Sequence, residues 1–159
     1  MSTNLRASGP RNEPVDGTGR SVALVCGRFN DLIVDRLERG ARRALEAHGV
    51  TDITTWWAPG ALEIPQVVQA AARTGRHDAI VALGAVVRGD TYHFEVVSDA
   101  SAAGLMQLSL TTDVVITNGI LTVDNEDQAS ERAGDDDTNK GAQAAIAALE
   151  TLAVIDALG

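Results

Sequence analysis

The chain has 159 residues, 45% hydrophobic but only 3% aromatic, with a formal net charge of -9 and a pI near 4.6. That length suits one domain with an ordinary core of Val, Ile, Leu and Ala, and the acidity argues against nucleic acid or an anionic membrane as partner. A single cysteine, Cys26, leaves no disulfide framework and no Cys/His metal spacing, which suits a reducing, cytoplasmic compartment.

Residues 1–20 mix Ser, Gly, Pro, Asn and both charge signs without periodicity and read as a flexible arm. They carry no signal-peptide core, and no apolar run further on is read as long enough to span a membrane. One α/β domain is expected over residues 21–159.

Val22–Cys26 is a first apolar strand, closing at Gly27-Arg28-Phe29-Asn30. A helix from Asp31 sets Ile33, Leu37, Ala41, Ala44 and Leu45 on one face and ends at His48-Gly49. Ile53–Trp57 is a second strand, ended by Ala58-Pro59-Gly60, with a helix from about Ala61 to Arg73 and a stop at Thr74-Gly75. Ala79-Ile80-Val81 is short and β-branched and reads as a strand buried on both faces. Gly89-Asp90 breaks its pattern, and a helix runs from about Thr91 to Leu110. Asp90 or Thr91 is the expected N-cap, which puts His93 in the first turn, where a cation is disfavoured and a neutral, proton-accepting imidazole is favoured.

Val114-Val115-Ile116 makes a fourth strand running into Asn118-Gly119, itself a turn signal. A short acidic helix covers about Asn125 to Ala133, Asp135-Asp136-Asp137-Thr138 forms a turn, and Asn139 caps a last helix to about Ala157. Its alanine-rich face, with Ala142, Ala145, Ile146, Leu149 and Ala153, is flat enough to take another helix. Strands alternating with helices imply a parallel sheet with right-handed crossovers.

Ligands of such sheets sit outside the carboxyl ends of the strands, so the residues just after each strand are the candidates. Phe29 could stack on a planar heterocycle, or simply pack its helix down. Glu63 could bind a ligand or merely complement a helix dipole. His93 could move protons or only hydrogen-bond its own helix end. Arg132 ends an acidic helix and could be a surface ion-pair partner. Lys140 at a helix start is unfavourable unless an anion binds there, and a helix N-terminus with Arg and Lys is a phosphate site. Phosphate-loop, dinucleotide and nucleophile-elbow motifs are all missing, and metal-dependent chemistry has no support.

Taken together, five ordered runs carry a resemblance: Gly27-Arg28-Phe29-Asn30, Pro59 to Pro65, Gly84 to Phe94, Glu131-Arg132-Ala133-Gly134 and Asn139-Lys140-Gly141. From about Ser21 onward the chain resembles the 6,7-dimethyl-8-ribityllumazine synthases of riboflavin biosynthesis. The resemblance implies a three-layer α/β/α sandwich on a four-stranded parallel, flavodoxin-like sheet. It also implies a condensation of 5-amino-6-(D-ribitylamino)uracil with 3,4-dihydroxy-2-butanone 4-phosphate, without metal or redox cofactor. Phe29 would stack on the pyrimidine. Ala61, Leu62 and Glu63, with the backbone of Ala85, Val86 and Val87, would hold the ring and ribityl chain. Asp90 and Thr91 would meet the butanone phosphate, with Arg132 as main cation and Lys140 as a second, and His93 would shuttle protons.

Some relatives place an aromatic ring after the fourth strand. This chain has Asn118, which leaves a polar or backbone contact there instead of stacking. Asp135 to Asp137 beside the phosphate site are a second departure; they would weaken phosphate binding or point to solvent. The family also implies a homo-oligomer, a pentamer or a shell of pentamers, with sites between subunits and Asn118 facing the neighbour's Phe29. The competing class is a shell-forming or flavin-holding protein without turnover. Such a protein needs neither a proton shuttle nor a phosphate cation, so His93 together with Arg132 favours the enzyme.

Overall fold

The computed structural model describes residues 14–159. Four strands, β1 (Ser21–Gly27), β2 (Asp52–Ala58), β3 (Ala79–Val87) and β4 (Val115–Val123), form one parallel sheet in the order β2-β1-β3-β4. The helices are α1 (Asp31–Ala47), α2 (Ile64–Arg73), α3 (His93–Thr111), α4 (Glu126–Glu131) and α5 (Lys140–Leu158). Alternation along the strands sends side chains to two cores, which makes the three-layer sandwich. Val22, Leu24 and Cys26 of β1 face α1 and α5, where Leu37, Ala41, Leu45, Ala145 and Leu149 are buried. Ala23 and Val25 face the other way, onto α2 and α3 with Ile64, Val68, Val97 and Leu105. Burial pushes the Cys26 thiol well above its ordinary range, as expected of a small hydrophobe in a core.

Several boundaries differ from the sequence reading. The flexible-arm expectation falls outside the described residues for 1–13, but order begins before Ser21. Val15 packs on the α1–α5 core, the Gly17 N–H donates to the His48 carbonyl at 2.7 Å, and Arg20 pairs with Asp156. β3 ends at Val87, just before the Gly89-Asp90 break, whereas β4 runs on to Val123, past the asparagine and glycine that interrupt its apolar pattern. Asn118-Gly119 is therefore not a turn. These residues pair with Ala82 and Leu83 of β3, and a Cβ at Gly119 would lie 2.8 Å from Leu83 Cδ2 and 2.9 Å from the Ala82 carbonyl. The glycine is there for close packing, not for bending.

The first turn after β2 is a 3-10 turn over Ala61–Glu63, and α2 proper starts at Ile64 with Pro65 in its first turn. α3 starts at His93 with Tyr92 as N-cap and no side-chain cap. Neither Asp90 nor Thr91 occupies that position, although Thr91 Oγ1 accepts the His93 N–H at 3.3 Å. Asn139 does cap α5, accepting from the Ala142 N–H at 3.0 Å.

Two readings of α5 need correcting. The face read as open to another helix is partly taken by the chain's own α1, with Ala145 and Leu149 buried between them while Ala153 stays exposed. At 19 residues and a mean hydropathy of 1.4 over an 18-residue window, α5 is also long and apolar enough to cross a membrane by length and composition. Its Ala144, Ala145, Ala148, Leu149 and Leu152 instead line the core.

Candidate functional site

In this strand order the direction of winding reverses between β1 and β3. That switch point opens a crevice at the carboxyl ends of the strands. A cleft of about 350 Å³ lies there. It is lined by Phe29 and Asn30 after β1, Gly60 to Glu63 after β2, Ala85, Val86 and Val87 at the end of β3, and His93 and Val97 on α3. Eight of the residues expected from sequence thus meet in one cleft: Phe29, Ala61, Leu62, Glu63, Ala85, Val86, Val87 and His93.

Their local structure follows from the connections. Phe29 is 70% exposed, so it does not pack its helix down, and that reading fails. The ring leans on Gly60, where an added Cβ would come within 2.5 Å of its Cδ2. Glu63 ends the 3-10 turn, its N–H donating to the Gly60 carbonyl at 3.1 Å. His93 is the first residue of α3 and exposed. Beside it, Arg88 donates from Nε to Asp124 at 2.9 Å, pairs with Glu95 and lies 4.3 Å over the Phe94 ring. The Asp124 and Glu95 carboxylates raise the Arg88 guanidinium further above its ordinary value, and Arg88 in turn holds Glu95 below its own.

The remaining candidates lie elsewhere. Asp90 and Thr91 are exposed in the linker before α3 and do not line the cleft. Asn118, Arg132 and Lys140 share a second hollow of about 400 Å³ along the free edge of β4, together with Gln143 and Ala144 of α5. No residue lines both hollows. There the Lys140 N–H donates to the Arg132 carbonyl at 2.8 Å, which brings the two cations together at the start of α5. Arg132 donates from Nη1 to the Gln128 carbonyl at 3.0 Å and stands 3.7 Å from Glu131, while Lys140 Nζ reaches Gln143 Oε1 at 3.0 Å. Asn118 spends its Oδ1 on the Ile120 N–H at 2.8 Å.

The aspartates Asp135 to Asp137 are exposed and line neither hollow. Asp136 takes the Thr138 hydroxyl and N–H, which hold its carboxyl below the usual range, and Asp135 pairs with Arg43 at 3.5 Å. The rule that points past each strand end also takes in Asn30 and Gly60, though without a role for either, and only Val97 of the cleft was missed.

The fold and cleft define the class: an α/β protein of flavodoxin-like topology, with an imidazole, a carboxylate and an exposed ring at its switch point. The sequence profile of 6,7-dimethyl-8-ribityllumazine synthase matches residues 19–156. Proteins of that name share 52% identity over 143 residues in Kineococcus radiotolerans (89% of this chain, 88% of the relative) and 47% over 140 residues in an Anaeromyxobacter species (87% and 86%). A third, from Leuconostoc mesenteroides, shares 44% over 144 residues (89% and 92%). The chain belongs to the 6,7-dimethyl-8-ribityllumazine synthase family of enzymes.

Proposed function

We propose that this chain condenses 5-amino-6-(D-ribitylamino)uracil with 3,4-dihydroxy-2-butanone 4-phosphate to 6,7-dimethyl-8-ribityllumazine, releasing phosphate and water, in riboflavin biosynthesis. One observation carries the reading: the groups suited to a planar heterocycle and to a phosphate occupy two separate hollows of the chain. Phe29 offers an exposed face for stacking, worth most when the opposing ring is also desolvated. Glu63 and the chain ends at Ala61, Leu62 and Ala85 to Val87 offer acceptors and donors around its edge. His93, on the rim of the same cleft, takes and returns protons through imine formation, phosphate elimination and ring closure. Asp90 and Thr91, just before α3, are left for the butanone phosphate.

Arg132 and Lys140, on the β4 edge, supply the cationic phosphate contact. For them to act with His93, the β4 edge of one subunit must face the cleft of another. The sites then lie between subunits of a homo-oligomer, a pentamer or a shell of pentamers, with Asn118 near the neighbour's Phe29. Large apolar side chains left open on the single chain support such contacts, among them Trp56, Met106, Leu110, Ile155 and Leu158. The cysteine usage keeps the cytoplasmic reading.

Mixing both substrates with the purified protein should give lumazine absorbance together with inorganic phosphate in equal amounts. Flavin or lumazine binding without any phosphate release would leave a holding protein instead.

A further inference from the structure

Asn30 breaks two local rules at once. Among the described residues it is the one non-glycine with positive φ, at 60° with ψ 44°, a region disfavoured by contact between Cβ and the backbone. It also stands at the N-cap of α1, where an asparagine side chain ordinarily accepts an N–H of the first turn. It makes no such bond. The first turn is closed by its backbone alone, with the Ile33 and Val34 N–H groups donating to the Asn30 carbonyl at 3.0 and 3.1 Å.

The side chain is used elsewhere: Nδ2 donates to the Ala85 carbonyl at 2.8 Å. The β1–β3 ladder ends at Cys26 and Leu83, while β3 continues against β4 to Val87. Ala85, only 4% exposed, thus lies beyond the end of β1, and the Asn30 amide takes up the carbonyl that the strand no longer reaches. Phe29, the neighbouring residue, rests only lightly: its exposed ring leans on the bare backbone of Gly60, which is extended at φ -158° and ψ -177° and open to any residue on conformational grounds. With so little gripping the ring, its direction is set by the backbone turn beside it. Broken local rules at a strand end next to a cleft are a mark of a functional constraint.

We propose that Asn30 is a positioning residue: it ties the β1–α1 turn to the end of β3 and so fixes where the Phe29 ring stands over the cleft. The inference rests on the reading above that this ring stacks on the pyrimidine. Two variants separate its parts. Asn30→Gly keeps the left-handed turn without steric conflict but removes the donor. Asn30→Asp keeps the shape and sets a carboxylate oxygen against the Ala85 carbonyl, two acceptors facing each other until the acid is protonated.

The test titrates the assembled protein with the pyrimidine substrate and follows steady-state turnover. Asn30→Gly should weaken pyrimidine binding about threefold to tenfold and leave KM for the butanone phosphate as in the wild type. Asn30→Asp should bind the pyrimidine more weakly still at neutral pH and recover towards the wild-type profile only as the pH falls to about 4, where an ordinary aspartic acid takes up its proton. Wild-type pyrimidine affinity in both variants would overturn the proposal. So would equal weakening of both substrates without recovery in acid, which is the behaviour of a merely structural residue. A wild-type protein that binds and converts neither substrate would overturn the proposed function, and the role of Asn30 with it.

Discussion

At the scale of single residues, the imidazole of His93 and the guanidinium of Arg132 separate two kinds of contribution. His93 sits at the head of α3 on the cleft rim, so His93→Ala should leave the fold intact and slow turnover. General acid–base catalysis contributes roughly 10²–10⁴-fold, and the low end is expected because an amine and a ketone form an imine readily. Unchanged turnover from pH 6 to 8 would remove His93 from the mechanism. Arg132 lies in the other hollow with Lys140, so Arg132→Ala should raise KM for the phosphorylated substrate about tenfold to hundredfold and leave the pyrimidine nearly untouched. The same variant should lose the protection that inorganic phosphate gives against heat. The cleft residues were legible because the parallel-sheet rule points at whatever follows a strand, and Phe29, Glu63 and His93 do. The place of Asn30 was legible by the same rule, but its role was not, because its bond to Ala85 spans residues far apart in the sequence.

At the scale of elements, alternation and turn signals announced every helix and strand, but not where β4 stops. Asn118 and Gly119 look like a break in one dimension. In the sheet they pair in register, and the lack of a side chain at Gly119 admits Leu83 and Ala144. The α1–α5 contact follows the same logic. A Cβ on Gly141 would fall on the Leu37 carbonyl, and one on Gly40 on the Asn139 amide. Gly141→Ala should therefore cost about 1–3 kcal/mol by overpacking, a fall in Tm of roughly 3–10 °C; a variant melting with the wild type would show that the helices can part freely.

His77, in the link from α2 to β3, shares a contact of 3.1 Å with the Ser21 hydroxyl. Burial, with Arg76 adding to it, holds its imidazole below the ordinary 6.5. The unfolded chain then takes up a proton more readily than the folded one, so stability is lost as the pH falls from about 6.5 towards the lower folded value. Between about pH 7.5 and 5.5, the Tm of the wild type should drop more than that of His77→Gln. Equal drops would place the acid sensitivity elsewhere.

At the scale of the whole molecule, the proposed division of the site between two hollows would make assembly a condition of activity. The described chain holds the Phe29–His93 cleft at the switch point and Arg132 with Lys140 on the β4 edge, with no shared lining residue. A monomer would leave His93 without the phosphate contact and Arg132 without a reacting partner. It would also leave Trp56, Trp57, Met106, Leu110 and Leu158 facing water. The alanine face of α5 is taken up in part by α1, which buries Ala145 and Leu149 but leaves Ala153 exposed. In the proposed assembly, the contacts expected are the β4 edge and the exposed apolar side chains of α3 and α5, such as Met106, Leu110, Ile155 and Leu158. The expected particle is a pentamer at least, in which each β4 edge meets the next subunit's cleft. Like charges at Asp135 to Asp137 would oppose closure into a shell, tempered by Arg43 and by bonds to Thr138. Light scattering behind size exclusion measures this directly. A mass near the 16.6 kDa of one chain in a catalytically active sample would sink the shared-site model. A five-chain mass would keep the sites and exclude only the shell, and mixing His93→Ala with Arg132→Ala subunits, each impaired alone, should raise turnover at low butanone phosphate above that of either variant, at those sites where one subunit brings an intact His93 and its neighbour an intact Arg132.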